Sequence, residues 1–169
     1  MMNSDVIKDN EAWLDISLTQ QHCWLRQADK VLFEAPVSTA LNGPGEQNGS
    51  GCTPRGWHLI RAKIGHNQPI NSVFVGRRPT AEIFNAALKA QLPNRDWILT
   101  RILWLSGMEV GKNRLGNVDT MRRYIYIHGC PDELPMGEAL SHGCVRMRNQ
   151  DVVTLFDQVH PGLKVWIHE

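Results

Sequence analysis

Long apolar runs are missing from this chain of 169 residues, and no stretch of it is extended enough to cross a bilayer as a helix. Residues Met1 to Glu11 include Asp5, Lys8, Asp9 and Glu11 but no apolar core of the kind a signal peptide needs, so the expected location is the cytoplasm. A chain already trimmed of a leader would read the same way and would work in the periplasm. An excess of one charge is also missing. With 18 Lys and Arg against 17 Asp and Glu, the formal net charge is +1 and the basic residues are scattered, which excludes the electrostatic footprint of a nucleic-acid binder. Arg77-Arg78 and Arg122-Arg123 read as solvated strand ends. Cysteine is sparse, with four residues and no Cys-x-x-Cys pair, and a domain that can bury roughly 70% of its unfolded surface needs no disulfide staples. Glycines occur without a phosphate-loop pattern, and there is neither an internal repeat nor a low-complexity linker. These absences leave one globular domain over residues 1–169, with its core at about 12–168. Composition leaves its oligomeric state open.

The patterning that is present is mostly that of strands. Trp13 to Leu18, Cys23 to Arg26 and Val31 to Ala35 read as an antiparallel meander, and Ile98 to Leu105 resumes the alternation. Ala81, Ile83, Phe84, Ala87, Leu88 and Leu92 fall at helical spacing, which predicts a packing helix capped by Thr80 and stopped by Pro93. A second helix is predicted where Val152, Val153, Leu155, Phe156 and Val159 recur behind Asn149 as N-cap and before Pro161-Gly162. The fold class is therefore mainly β (α+β), with one or two packing helices. The loop at residues 42–51 is expected at the rim of a cleft, and the polar stretch Ser106 to Asp119 is expected to border the site. Of the six tryptophans, most sit in strand patterns and are assigned to the core, as is Cys23. Trp57, beside Thr53-Pro54, is singled out for contact with substrate.

Chemistry concentrates in Ser141-His142-Gly143-Cys144-Val145-Arg146 and in His128, sixteen residues before the cysteine. A free thiol with a pKa of ~8.5 is mostly protonated at neutral pH, so a nucleophilic cysteine needs a base or cation to shift it. Histidine suits the task, since its unperturbed pKa of ~6.5 lets it take a proton on attack and return it to the leaving group. Tyr124, Tyr126 and His128 alternate onto one strand face, with Ile125 and Ile127 on the other. Gly143 leaves room for close approach of a carbonyl, and the Gly143 and Cys144 N–H groups can form an oxyanion hole. A rival reading stays open. His128-Gly129-Cys130 and His142-Gly143-Cys144 repeat one tripeptide, and two His with two Cys would suit a tetrahedral zinc, although the gaps are not those of the usual structural site.

The block His128-Gly129 followed by Ser141-His142-Gly143-Cys144-Val145-Arg146-Met147 resembles the signature of the L,D-transpeptidase (YkuD-type) catalytic domains. Pro36-Val37-Ser38-Thr39, Thr53-Pro54-Arg55-Gly56-Trp57 and the closing Pro161-Gly162-Leu163-Lys164-Val165-Trp166-Ile167 are also similar, so the likeness runs from about Trp13 to the C-terminus. The resemblance implies a β-barrel or sandwich in which Cys144 is the nucleophile and His128 the proton acceptor and donor. His142, Gly143, Ser141 and Gly129 would line the site, and Arg146, with Tyr126 and Trp57 nearby, would bind substrate. It further implies a peptidoglycan-derived muropeptide as substrate, without cofactor or metal. Cleavage of the L,D bond of a stem tetrapeptide would release the terminal D-alanine, to water in an L,D-carboxypeptidase of muropeptide recycling or to an amine in an L,D-transpeptidase forming cross-links or exchanging D-amino acids. A catalytically silent relative that only binds wall peptides is a third reading, and the thiol argues against it. Some members carry a serine directly after the first histidine. Gly129 stands there in this chain, so a backbone carbonyl is expected to orient the imidazole.

Overall fold

The computed structural model describes residues 4–169. In chain order it contains β1 (Ala12–Ser17), β2 (His22–Gln27), β3 (Lys30–Pro36), β4 (Gly56–Ile64), β5 (Ser72–Val75), β6 (Arg78–Ile83), α1 (Ala86–Gln91), β7 (Ile98–Gly107), β8 (Tyr126–Cys130), β9 (Val145–Arg148), α2 (Asn149–Gln158) and β10 (Lys164–His168). The strands form one curled sheet in the order β3-β2-β1-β10-β4-β7-β5-β6, with β8 branching from β7 and β9 lying against β8. The mainly β expectation holds, and the meander β1-β2-β3 lies where alternation put it. Pairing is antiparallel except for β1 with β10 and β8 with β9. Among the described residues no helix is long and apolar enough to cross a membrane.

The main core is built from alternate strand residues such as Leu14, Ile16, Leu103, Leu105, Ile127 and Val145, closed by Val152, Leu155 and Phe156 of α2. Each such side chain contributes about 1.5–3 kcal/mol on burial. The α2 stripe obeys the spacing read from sequence, but its start differs from the expectation. Arg148 takes the cap position, and Asn149 is the first helical residue. The Asn149 side chain turns inward, where its Nδ2 donates to Asn71 Oδ1, Cys130 O and Asp132 Oδ1, and its Oδ1 accepts from Thr100 Oγ1. Four polar partners outweigh one N-terminal N–H.

The helix predicted from Ala81 is mostly absent. Residues 78–83 are the edge strand β6 instead, joined to β5 by the two-residue turn Gly76-Arg77, and helix begins only at Ala86, where Asn85 Oδ1 accepts from Leu88 N at 2.8 Å. Pairing with β5, Ser72 against Ile83 and Val75 against Arg78, holds this stretch extended, and Ala81 takes a left-handed φ of +70° that no α-helix contains.

Candidate active site

Parallel pairing of β8 with β9 sets His128 directly beside Arg146 and Ile127 beside Val145, so the loop entering β9 carries Cys144 to the end of the histidine strand. That loop is fixed from several sides. Ser141 Oγ donates to Cys144 O at 2.5 Å and accepts from Gly143 N at 3.2 Å. Ser141 N donates to Thr39 O, and Ser38 exchanges both backbone bonds with Arg146. Thr53 Oγ1 donates to Gly143 O at 2.8 Å and accepts from Ala40 N at 3.0 Å. The Pro36–Thr39 and Thr53-Pro54 segments are thus the braces of the cysteine loop. Gly143 has φ +134° and would place a Cβ 3.3 Å from Cys52 O, so only glycine fits without strain.

Cys144, His128, His142, Ser141, Arg146 and Tyr126 all line one cavity of about 440 Å³, together with Tyr124. Tyr124 lies in the turn before β8 (φ +57°), while Ile125 and Ile127 join the core as the alternation required. The thiol donates to Tyr124 O at 3.4 Å and its sulfur accepts from Tyr126 N at 3.3 Å, so at rest it is bonded to backbone and not to His128. Burial pushes the Cys144 thiol up to about 12; the Tyr126 N–H, Arg146 and Arg123 pull the other way, and Asp96 adds to the rise. His128, only 1% exposed, is shifted down by burial, partly opposed by the Gly129 carbonyl and Asp96. Burial thus favours the uncharged form of both groups.

The orientation of the imidazole follows from one bond. His128 Nδ1 lies 2.7 Å from Gly129 O, and since a carbonyl only accepts, Nδ1 carries the proton and Nε2 keeps its lone pair for base chemistry. This is the backbone-carbonyl arrangement expected from sequence. A serine at position 129 has no room: a Cβ there would lie 2.5 Å from Asn149 Oδ1 and 2.7 Å from Leu99 O.

Other expectations need correction. Trp57 is 3% exposed and packs between Trp13 and Trp166, away from the cavity, so its place in the sheet core overrides the reading as a substrate contact. Arg146 is already committed, with Nη2 3.1 Å from Asp96 Oδ1 and Nη1 3.2 Å from Leu140 O. The Gly143 N–H is taken by Ser141, which removes one of the two expected oxyanion donors. Ser106 and Gly107 belong to β7, and the loop after them packs on Trp57 through Glu109 and Asn113 instead of bordering the cavity. The zinc grouping does not assemble. Cys130 Sγ faces the β8–β9 interior and donates to Met147 O, and among the described residues no three His, Cys, Asp or Glu side chains converge as ligands would.

Three charged lining residues carry no sequence signature of a site. Asp96 accepts from Arg146 and lies 3.4 Å from His142 Nδ1; burial alone would raise its carboxyl, but His128, Arg146 and His142 together hold it below the usual range. Nothing in the sequence ties this loop residue to a motif. Arg77 and Arg123, taken for solvated strand ends, both line the cavity. Arg123 is held by Gly45 O, Glu46 O, Ser50 Oγ and Cys52 O, so the 42–51 loop reaches the site by gripping this arginine. The signal for Arg77 was available in Gly76-Arg77, a hairpin turn after an apolar strand.

Comparison with known proteins identifies the family and the fold. The model of the L,D-transpeptidase catalytic domain (YkuD) matches residues 11–167. Probable L,D-transpeptidase YcfS of Escherichia coli K12 is 46% identical over 39 residues, 23% of this chain and 12% of that protein. Probable L,D-transpeptidase YbiS of the same strain is 44% identical over 43 residues, 25% of this chain and 14% of its own length. Among solved structures, an L,D-transpeptidase from Mycobacterium smegmatis superposes with a TM-score of 0.55 at 16% identity, over 94% of this chain and 59% of that one. L,D-transpeptidase 3 from Mycobacterium tuberculosis does so with a TM-score of 0.56 at 16% identity, over 94% and 61%. These structures share the fold, and this chain spans about three fifths of their length. Because the family model runs through nearly every strand that positions the cysteine loop, the chain belongs to the L,D-transpeptidase catalytic domain family of peptidoglycan enzymes.

Proposed function

We propose that the protein is a cysteine acyl-transfer enzyme that cleaves the L,D bond of peptidoglycan stem tetrapeptides and hands the acyl group to water, an L,D-carboxypeptidase acting on soluble muropeptides. The observation that carries this reading is the one cavity that the Cys144 thiol and His128 both line, with Nε2 left unprotonated by the Nδ1 bond to Gly129 O. In the first step the thiol breaks its bond to Tyr124 O and His128 Nε2 takes the proton. The Cys144 Sγ–C bond forms while the C–N bond to the terminal D-residue breaks, and the same proton leaves on the departing amine. With the Gly143 N–H engaged by Ser141, the Cys144 N–H is the backbone donor we assign to the developing oxyanion. Water then adds to the thioester with His128 as base, the Sγ–C bond breaks, and the thiol regains its proton. Burial that raises the thiol and lowers the imidazole fits this order, since the proton moves with the attack.

Water is the favoured acceptor because a cavity of about 440 Å³ has the volume of a short peptide end and little more. At ~55 M, water also outcompetes a dilute amine unless the site excludes it. The test is incubation of the purified protein with a disaccharide tetrapeptide, with and without an amine acceptor, and mass analysis of the products. Tripeptide alone is expected. Dimers or exchanged D-amino acids would make the enzyme a transpeptidase, and turnover by a Cys144→Ala variant would remove the nucleophile assignment. A carbapenem is expected to leave a mass adduct on Cys144.

A further inference from the structure

Three guanidinium groups line the cavity, and two of them are spent on the protein. Arg146 is bonded to Asp96 and Leu140 O. The four Nη hydrogens of Arg123 are taken by four backbone and hydroxyl oxygens. Arg77 differs. Its Nη1 donates to Tyr126 Oη at 3.0 Å, and among the described residues no carboxylate is paired with it, so most of its five N–H donors have no protein acceptor.

The same side chain is braced by aromatic rings. Its guanidinium carbon lies 4.7 Å from the Trp104 ring centroid and 4.8 Å from that of Tyr124, two neighbouring rings whose centroids are 6.3 Å apart, so both restrict its orientation. The backbone beneath is left-handed at both turn positions, with φ +55° at Gly76 and +64° at Arg77. Glycine or asparagine is the ordinary occupant there, and a longer residue costs roughly 1 kcal/mol or more. Strain at a position that aims a side chain into a cleft is a pointer to use. Tyr126 links this cation to the thiol: its backbone N–H donates to Cys144 Sγ and its hydroxyl accepts from Arg77, so the two groups stand one tyrosine apart.

We infer that Arg77 grips the free α-carboxylate of the substrate's terminal D-residue and so selects chains that end one residue beyond the bond attacked by Cys144. The inference rests on the acyl-enzyme reading above and assigns to Arg77 the role that Arg146, neutralised by Asp96, does not have free. A planar fork with open donors matches a carboxylate bidentately, and its preset orientation lowers the ordering cost on binding.

The experiment compares kcat/KM for a stem tetrapeptide and for the same peptide ending in a carboxamide. The wild-type protein is expected to prefer the free acid by about 10- to 100-fold, the range of one charge-assisted pair. In Arg77→Asn, which keeps a residue tolerant of the left-handed turn, that ratio is expected to fall toward unity, mainly through KM for the acid, with melting temperature and Cys144 labelling unchanged. Arg77→Lys is expected to retain part of the preference. A wild-type protein that cleaves acid and amide equally well overturns the inference without any variant, as does an Arg77→Asn protein with the wild-type ratio; in both cases the acyl-enzyme reading survives. Cleavage of neither peptide, with no adduct on Cys144, overturns that reading and this inference together.

Discussion

A thiol near an imidazole is useful only if the pair can pass a proton, and here burial favours the uncharged form of both partners while the thiol rests against a backbone carbonyl. Alkylation of Cys144 by iodoacetamide is therefore expected to be slow at pH 7 and to keep rising through pH 10 without a plateau, read by peptide mass mapping. A plateau near pH 7 would mean that the thiolate is the resting form. Asp96 sets the local field. It favours the charged form of His128, so Asp96→Asn is expected to move the acidic limb of the kcat/KM profile to lower pH while freeing Arg146 and His142. Unchanged limbs in a full pH profile would contradict that coupling. At this scale the residue types of the site were legible in the His-Gly and Ser-His-Gly-Cys blocks. Their charge states were not, because desolvation depends on neighbours far away in sequence, and Asp96 carries no local pattern at all.

Among the elements, the parallel pair β8–β9 does most to build the site, since register alone sets His128 next to Arg146. Gly129 is the narrowest point of that pair. A Gly129→Ala protein is expected to lose about 1–3 kcal/mol of stability from overpacking against Asn149 and the Leu99 carbonyl. It should also lose turnover out of proportion to its folded fraction, because the Gly129 carbonyl that orients His128 must move. Urea unfolding and activity on the folded fraction check this, and a fully active, fully stable variant would show that the backbone there is adaptable. Strand alternation made β1 to β3 and most of β7 and β8 readable. The helix expected at residues 80–92 forms only from Ala86: its apolar residues satisfy a helical spacing, but pairing with β5 across the Gly76-Arg77 turn claims residues 78–83.

For the molecule as a whole, acid is the weak direction. His58 is fully buried, with Nδ1 3.0 Å from Gly56 O and Nε2 3.0 Å from Thr120 Oγ1, and burial pulls it down to about 4. An unfolded histidine titrates near ~6.5, so between those values the unfolded chain binds more protons. Stability is complete above pH 6.5 and falls as the pH drops toward 4, by about 3 kcal/mol in all. Denaturant midpoints at pH 7.5 and 4.5 measure the loss, and His58→Asn is expected to flatten it; an equal slope in the variant would assign the effect elsewhere. The available chemistry and the strand-rich class can be read from the residues alone, because reactive side-chain types and period-two alternation are local properties of the chain. Which cations reach the cavity, the exclusion of Trp57 from it, and the burial that favours an uncharged thiol and imidazole came from the folded arrangement alone. Those outcomes depend on sheet register and burial, which join residues as distant as Arg77, Asp96 and Cys144, and no local pattern encodes them.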